Sequence, residues 1–324
     1  MSARPQSVLH PGGWDAEVTA HLAWVLIGGA ALAFAGVMVV CALGLRRQRE
    51  VRPRRWLLGA GVALPSVALL ALLLYSVWRG ALLSEVSSRQ TVRIAVVAHM
   101  WWWEVRYTDP TGGADIVLAN EIRLPVGQPV YLGLSSADVI HSFWAPALAG
   151  KVDMVPGRVH GLMLRARQPG VYRVQCAEYC GEQHARMALH VVALGEREFA
   201  AWLAAQALPA RANASANASA NAAGRRVFEA RRCAACHTVR GVGDHAIGGA
   251  GVAAGTDGGG LGPDLTHVGS RLYLGAGTLR NGRAALRQWI ADPHHLKPGV
   301  RMPASTDMSA TDLQALAAWL EALQ

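Results

Sequence analysis

The chain has 324 residues, of which 52 % are hydrophobic and only 16 % are charged, and its formal net charge is +9. That length predicts two or three domains, and so apolar a composition excludes an ordinary soluble protein and indicates a membrane anchor. Many of the arginines lie between two apolar segments. We therefore expect the charge to orient the chain in a membrane, and we expect no nucleic acid among its partners.

Two uncharged segments, residues 22–45 and 56–78, are each longer than the roughly 20 residues that cross a bilayer. Pro65 interrupts the second, which a membrane helix tolerates. The short basic loop RRQREVRPRR between them should stay in the cytoplasm. Residues 1–90 are thus predicted to be an N-terminal segment and a two-helix transmembrane hairpin in the lipid of a bacterial inner membrane, with both termini on the outer side. The first segment is too long and lacks a cleavage site for a signal peptide.

Residues 91–200 have the pattern of short β-strands. Segments such as TVRIAVVAHMWWWEVRY are rich in β-branched and aromatic residues, and turn signals such as TDPTGG follow them. Many short strands in about a hundred residues indicate a β-sandwich or a Greek-key barrel. A short helix is expected at EREFAAWLAAQAL, residues 196–208.

The segment CAEYCGEQHARM, residues 176–187, concentrates cysteine, histidine and methionine. An oxidising compartment favours a disulfide between Cys176 and Cys180, and zinc also binds cysteine and histidine. Thiolate and thioether together favour copper, because both are soft ligands. Methionine is rare on zinc, so the residue types favour copper over the two alternatives.

Residues 201–224 are dominated by alanine, asparagine and serine without a periodic apolar face, and they predict a flexible linker. Residues 225–324 predict a small, mostly helical unit with few apolar residues of its own. This unit contains Cys233-Ala234-Ala235-Cys236-His237, the C-x-x-C-H pattern of covalent c-type haem attachment. Two thiols add to the haem vinyl groups and the adjacent histidine reaches the iron. The residues alone leave the second axial ligand open among Met302, Met308, His294, His295 and His267.

The same unit resembles class I cytochrome c in the segments GPDLTHVGSR and LRQWIADPHHLKPGVRMPAS. The resemblance implies that the Pro263 carbonyl accepts a bond from His237 and that Met302 is the second axial ligand. A methionine ligand in place of a second histidine raises the iron potential.

Together with SADVIHSFWAPALAGKVDMVPGR upstream, the segment 176–187 resembles subunit II of haem–copper oxidases with its binuclear CuA centre. The resemblance covers both membrane segments and residues 91–195, and it implies a cupredoxin-like fold. It implies that Cys176 and Cys180 bridge two coppers. The other implied copper ligands are His141, His184, Met187 and the backbone carbonyl of Glu178.

Two further roles come from this resemblance. Trp101, in the cluster His99-Met100-Trp101-Trp102-Trp103, is implied to be the tryptophan through which electrons enter, whereas Trp102 and Trp103 are expected to pack. The Glu178 carboxylate is implied to reach a magnesium ion shared with subunit I, since hard cations prefer oxygen ligands.

The two resemblances imply a multidomain membrane protein: a subunit II fused to a cytochrome c, as in caa-type cytochrome c oxidases. Such a chain would take electrons from a cytochrome c or the bc complex through haem c to CuA and on to haem a. Subunit I would then reduce dioxygen to water with coupled proton translocation, and subunit III would be a further partner. No catalytic residue is expected in this chain, because neither membrane segment carries a histidine to bind a haem.

Two alternatives stay open: the same relay in a CuA-containing nitric oxide reductase, and a copper-delivery or redox-sensing protein. A quinol oxidase is excluded, because its subunit II lacks these copper ligands. No proton-path residue is assigned, since Arg54 and Arg55 precede the second membrane segment, which contains no acidic residue. The predicted linker suggests that the cytochrome unit is loosely tethered at a raised effective concentration.

Overall fold

The computed structural model describes residues 6–46, 52–83, 92–108, 114–210, 218–241 and 261–324. Part of the arginine-rich loop, part of the predicted linker and nearly all of the Gly-rich stretch after the C-x-x-C-H motif lie outside the described residues.

The two uncharged segments form long helices, as their length and composition predict. Helix α1 spans Trp14–Arg46. The second rod, Pro53–Ala81, consists of α2 (Pro53–Trp56), a π-helical stretch (Leu57–Ala63) and α3 (Leu64–Ala81). The π-helical stretch ends just before Pro65, and a wider turn is one way in which a helix accommodates a residue that lacks an N–H. Both rods are long and apolar enough to cross a bilayer, and their apolar spans are exposed.

The first turns of α1 pack against the β domain formed by residues 92–194. Residues Ala16, Val18 and Ala20 are buried, and the backbone N–H of Ala16 donates to the carbonyl of Leu148 at 3.1 Å. The membrane helices are thus joined directly to the extramembrane part.

The predicted β domain is a two-layer sandwich. One sheet has the order β3-β2-β1-β5-β8 and the other the order β4-β10-β9-β6-β7. The strands are β1 Val92–His99, β2 Trp102–Tyr107, β3 Ile116–Ala119, β4 Glu121–Pro125, β5 Val130–Ser136, β6 His141–Trp144, β7 Lys151–Met154, β8 His160–Leu164, β9 Gly170–Cys176 and β10 Ala188–Leu194. Alternate residues of β5 and β9 are buried, as the period-2 pattern predicts. The sandwich confirms the fold predicted for this region and agrees with a cupredoxin-like layout.

The C-terminal unit is small and mainly helical, as predicted. Its elements are α5 Ala218–Ala230, a 3-10 turn Cys233–Ala235, a second 3-10 turn Val268–Ser270, β11 Tyr273–Leu274, β12 Leu279–Arg280, α6 Arg283–Ala291, α7 Pro293–Leu296 and α8 Ala310–Ala322. Helices α5 and α8 cross closely at Gly224, where any side chain would collide with the carbonyl oxygen of Ala315. Phe228 and Trp319 pack beside this crossing with ring centroids 5.1 Å apart.

The predicted flexible linker, residues 201–224, is helical at both ends. Helix α4 (Glu196–Ala207) is the helix predicted at residues 196–208, whereas α5, which begins within the predicted linker at Ala218, was not predicted there. Alanine has the highest helix propensity, so this composition forms a helix once one face can pack. Because Gly224 has no side chain, α5 can pack closely against α8, and composition alone does not reveal this contact.

The expectation of a loosely tethered cytochrome unit differs from the structure, in which the unit is docked on the sandwich. The backbone N–H of Ala188 donates to the carbonyl of Ala276 at 2.9 Å. The ring of His190 stacks on Tyr273, with centroids 4.1 Å apart. Two polar contacts add to the interface: Glu121 Oε2 accepts from the Leu272 N–H at 2.9 Å, and Arg123 donates to the Ser270 carbonyl at 3.1 Å. These contacts involve folded side chains far from the linker, so linker composition could not predict them.

Candidate functional site

The residues of the predicted copper site come together at one end of the second sheet. Strand β9 ends at Cys176, and β6 begins at His141 beside it, because Phe143 pairs with Cys176 across the two strands. The loop after Cys176 returns to β10, and the Cys176 N–H donates to the Met187 carbonyl at 3.0 Å. The sheet thus fixes both ends of the loop and sets the histidine next to it.

Six potential ligands lie within a few ångströms of one another. The Sγ atoms of Cys176 and Cys180 are 3.7 Å apart, and Nδ1 of His141 is 3.8 Å from Cys176 Sγ. Around Cys180 Sγ, His184 Nδ1 lies at 3.6 Å and Met187 Sδ at 3.9 Å. The carbonyl oxygen of Glu178 is 3.2 Å from Cys176 Sγ. The ligand atoms of His141, Cys176 and Cys180 all lie within 4.8 Å of one another.

Four of the ligand side chains are almost fully shielded from solvent. His141 is 0 % exposed and Met187 1 %, while Cys176 and Cys180 are 5 % and 3 % exposed. His184, in contrast, is only partly buried. Both thiols are free, so the structure does not form the disulfide that the sequence left open. Two thiols, two imidazoles and a thioether in one cluster fit copper, because this donor set is soft and exceeds the four ligands of a structural zinc site.

The two thiols titrate as a pair. Hydrogen bonding with Cys180 lowers the pKa of Cys176, and burial opposes this shift. The same interaction raises the pKa of Cys180. The arrangement thus favours the thiolate form of Cys176, and a thiolate is the form that binds a metal.

Asp138 was missed by the sequence analysis. Its Oδ1 lies 2.8 Å from His141 Nε2, and its Oδ2 accepts from the Met100 N–H at 2.7 Å. Burial would raise the pKa of Asp138, but the hydrogen bonds from His141, Met100 and Val139 outweigh burial and lower it. The carboxylate orients the imidazole so that Nδ1 faces Cys176, as second-sphere carboxylates do for metal-binding histidines. The D-x-x-H spacing in SADVIH was the signal that could have found it.

The three tryptophans of the aromatic cluster next to this site make different contacts. Trp101 Nε1 donates to the Cys180 carbonyl at 2.8 Å. Trp102 stacks on His99 with centroids 4.4 Å apart, and Trp103 is fully buried against Phe143. Of the three tryptophans, Trp101 is therefore the one that bonds to the ligand loop.

The Glu178 side chain lies outside the cluster. It is 44 % exposed, and its Oε2 lies 3.7 Å from the Lys151 ammonium. A carboxylate in this position faces the surface, where a further subunit could meet it.

The C-x-x-C-H motif lines a cavity of about 500 Å³ in the helical unit. Cys233 and Cys236 lie on one wall with free thiols, and Met302 lies in the segment before α8. His237 Nδ1 lies 2.7 Å from the Pro263 carbonyl oxygen, so the imidazole is oriented. Burial lowers the pKa of His237, which keeps the ring neutral and able to bind a metal. An apolar cavity of this size, with paired thiols and a fixed histidine, fits a covalently attached haem.

The other axial candidates are placed differently. His294 and His295 are exposed at the start of α7, and their backbone N–H groups donate to the Asp292 carboxylate. His267 is 2 % exposed and its Nε2 lies 3.1 Å from the Leu208 carbonyl. Met308 packs with the helical core and does not line the cavity, whereas Met302 does.

Several cationic residues also line the cavity, among them Arg271 and Lys297, which the sequence did not point to. Arg271 donates to the Asp264 carbonyl, and a guanidinium facing the cavity could pair with the carboxylates of a haem. The side chain of Lys297 reaches the wall of the cavity that the sandwich contributes. That wall consists of Met100, Trp101, Trp102 and Asn120. The cavity is thus closed on one side by the domain that carries the cysteine–histidine cluster.

Comparison with known proteins agrees with this division. Residues 111–194 match the family described as cytochrome c oxidase subunit II, periplasmic domain, and residues 221–324 match the cytochrome c family. Cytochrome c oxidase subunit 2 of Alkalihalophilus pseudofirmus is 40 % identical over 236 residues, covering 72 % of this chain and 62 % of that protein. The Bacillus subtilis protein of the same name is 28 % identical over 238 residues, covering 71 % of this chain and 62 % of the relative.

Among solved structures, the periplasmic domain of subunit II of the cytochrome oxidase of Bradyrhizobium japonicum is 29 % identical, with a TM-score of 0.35. The match covers 38 % of this chain and 97 % of that domain.

Proposed function

We propose that this chain, which carries a cytochrome c oxidase subunit II periplasmic domain followed by a cytochrome c domain, is the electron inlet of a haem–copper cytochrome c oxidase. The observation that carries the proposal is the cluster of two thiols, two imidazoles and a thioether next to a cavity that is lined by a C-x-x-C-H motif.

In the proposed copper site, the thiols of Cys176 and Cys180 and the imidazoles of His141 and His184 would hold the metal. The Met187 thioether and the Glu178 carbonyl would complete that donor set. In the proposed haem site, Cys233 and Cys236 would attach the group, His237 and Met302 would bind its iron, and the Pro263 carbonyl orients the histidine. When bound, the copper pair and the haem supply reversible one-electron chemistry, which lets the chain carry electrons from a donor toward a catalytic subunit.

The protein's own residues supply a rigid, dry frame for that chemistry. Strands β6 and β9 hold His141 and Cys176 next to each other, and the Asp138 carboxylate keeps the imidazole in place. Trp101 bonds to the ligand loop on one side and lines the haem cavity on the other. A frame that stays fixed between redox states lowers the reorganisation that each transfer requires.

The proposed setting is a bacterial plasma membrane. The two apolar rods would anchor the chain in lipid with both termini outside, so that the sandwich and the cytochrome unit lie on the extracytoplasmic side. The proposed partners are subunit I, subunit III and a donor such as a cytochrome c or the bc complex. The half-exposed Glu178 carboxylate supports a magnesium site shared with subunit I. We further propose that the complex reduces dioxygen to water and translocates protons.

A test is steady-state turnover of the purified complex with Met187→Leu or His184→Ala in this chain. We expect dioxygen consumption to stop while an external reductant still reduces the haem, because both substituted residues belong to the copper-ligand loop and not to the cytochrome unit. His160→Ala, on strand β8 outside the cluster, is the matched control. Full donor oxidation by either cluster variant would contradict the proposed route. Consumption of nitric oxide in place of dioxygen would keep the route and change the enzyme.

A further inference from the structure

Lys297 is a lysine buried at the junction of the two domains, and it is only 1 % exposed. An ammonium group has three N–H donors. All three are used: Nζ donates to the carbonyl oxygens of Trp101 and Arg186 at 2.8 Å each and of Gly275 at 3.0 Å. The side chain therefore satisfies its polar group entirely with backbone acceptors.

The three acceptors belong to both domains. Trp101 and Arg186 are part of the sandwich, and Arg186 immediately precedes Met187. Gly275 belongs to the cytochrome unit, where it follows β11 with a φ of +59°. Lys297 itself lies in the segment that leads to Met302. One ammonium thus connects the cavity segment, the tryptophan that bonds to Cys180 and the loop of the cysteine–histidine cluster.

A second bond runs in the opposite direction. Arg186 Nη1 donates to the Leu296 carbonyl at 2.7 Å. The side chain of Arg186 therefore binds the backbone next to Lys297, while the side chain of Lys297 binds the backbone of Arg186. Two crossed bonds hold the segments in one register, because sliding either segment would break both.

Burial of an ammonium is costly unless hydrogen bonds compensate it. Burial lowers the pKa of Lys297, which is the expected cost of removing an ammonium from water. Two of the three compensating carbonyls are supplied by the sandwich. Removal of the ammonium would leave those carbonyls buried without a donor, and an unmade buried hydrogen bond costs more than a made one contributes.

We propose that Lys297 is a positioning residue that fixes the cytochrome unit against Trp101 and the copper-ligand loop. This proposal rests on the function proposed above, since it concerns the step between the two proposed redox sites. The lysine acts through the backbone of Trp101 and Arg186 and holds no metal itself.

The test uses the full-length chain with haem and copper bound, in which Lys297→Met removes all three donors. Arg287→Met is the matched control, because Arg287 is exposed on α6. The first readout is hydrogen exchange at the Ala188 N–H, which donates to Ala276 across the interface. We expect exchange to accelerate about tenfold or more in Lys297→Met, the effect of losing one buried hydrogen bond, and to stay unchanged in Arg287→Met.

The second readout is the rate at which electrons leave the haem for the copper after rapid reduction of the haem. We expect Lys297→Met to slow this rate by about tenfold, the scale of supporting-residue effects, with unchanged haem absorption and copper resonance spectra. Lys297→Arg, which keeps the charge and the donors, should recover part of the rate. Wild-type exchange and wild-type transfer in Lys297→Met would overturn the proposal.

The outcomes separate this proposal from the proposed function. If Lys297→Met fails to fold, Lys297→Gln is measured in its place, and wild-type values for both readouts would overturn the proposal equally. If the unsubstituted chain transfers no electron from haem to copper, the proposed function fails. Exchange at Ala188 would then still decide whether Lys297 fixes the docked arrangement.

Discussion

The indole Nε1 of Trp101 donates a hydrogen bond of 2.8 Å to the carbonyl oxygen of Cys180. Trp101 also lines the cavity that holds the C-x-x-C-H motif. A single side chain therefore touches both sites, although the ligand loop ends at Met187 and the C-x-x-C-H motif begins only at Cys233. Replacing the indole changes the connection without changing a ligand, and this makes Trp101 the natural first target.

We expect Trp101→Phe to slow electron transfer between the proposed sites by roughly tenfold to a hundredfold, the range of supporting-residue effects. The phenyl ring keeps an aromatic group on the cavity wall but cannot donate to Cys180. Flash reduction of the haem followed by copper absorption measures the rate. Trp102→Phe is the control, because Trp102 lines the same cavity and stacks on His99. Equal electron-transfer rates in Trp101→Phe and Trp102→Phe would show that the Trp101 indole has no specific role in the transfer.

Asp138→Asn should weaken copper binding by roughly tenfold to a hundredfold, because the neutral amide no longer orients His141 as a carboxylate does. Competition with a copper chelator measures this affinity. Asp115→Asn is the control, since Asp115 is exposed and lies elsewhere on the sandwich. An affinity equal to that of the unsubstituted chain would show that His141 needs no support from Asp138.

Met302→His should lower the haem potential, because a methionine ligand raises the potential relative to a second histidine. Met308→His should leave the potential unchanged, since Met308 packs away from the cavity. Potentiometric titration followed by haem absorption gives both values. A shift in Met308→His with none in Met302→His would reverse the proposed axial assignment.

Stability should fall in acid because of His190. Burial lowers its pKa from 6.5 to about 4, and the nearby Arg173 adds to the shift. Between pH 6.5 and about pH 4, His190 is therefore protonated in the unfolded chain but not in the folded chain. This contribution to stability is complete above about pH 6.5 and is lost as the pH falls toward 4, by roughly 3 kcal/mol in all.

Chemical unfolding between pH 7 and pH 4 tests this, with His190→Phe as the matched variant. Phenylalanine keeps a ring against Tyr273 but carries no titrating group. We expect a smaller loss of stability in acid for His190→Phe than for the unsubstituted chain. Parallel pH profiles would show that another group is responsible.

Local patterns in the sequence predicted the elements and many of the contacts. Runs of β-branched and aromatic residues bounded by turn signals predicted the sandwich strands. The C-x-x-C-H motif predicted a haem site, which stays a prediction, and in the structure this motif lines a cavity. The docking of the two domains could not be predicted, because it depends on contacts such as His190 with Tyr273 that join residues far apart in the chain. Lys297 was missed for the same reason, since nothing in its neighbours in the sequence indicates that it is buried. Composition was misleading at the end of the predicted linker, where an alanine-rich stretch forms the start of α5 at Ala218.

The most direct test of the central claim is an electron paramagnetic resonance spectrum of the purified chain after haem maturation and copper loading, with copper and haem quantified. The account predicts a mixed-valence signal shared by two coppers together with one low-spin haem per chain. A single-copper spectrum, or the absence of bound copper, would contradict it. In that case the cluster around Cys176 and Cys180 would not be the binuclear site proposed for this chain.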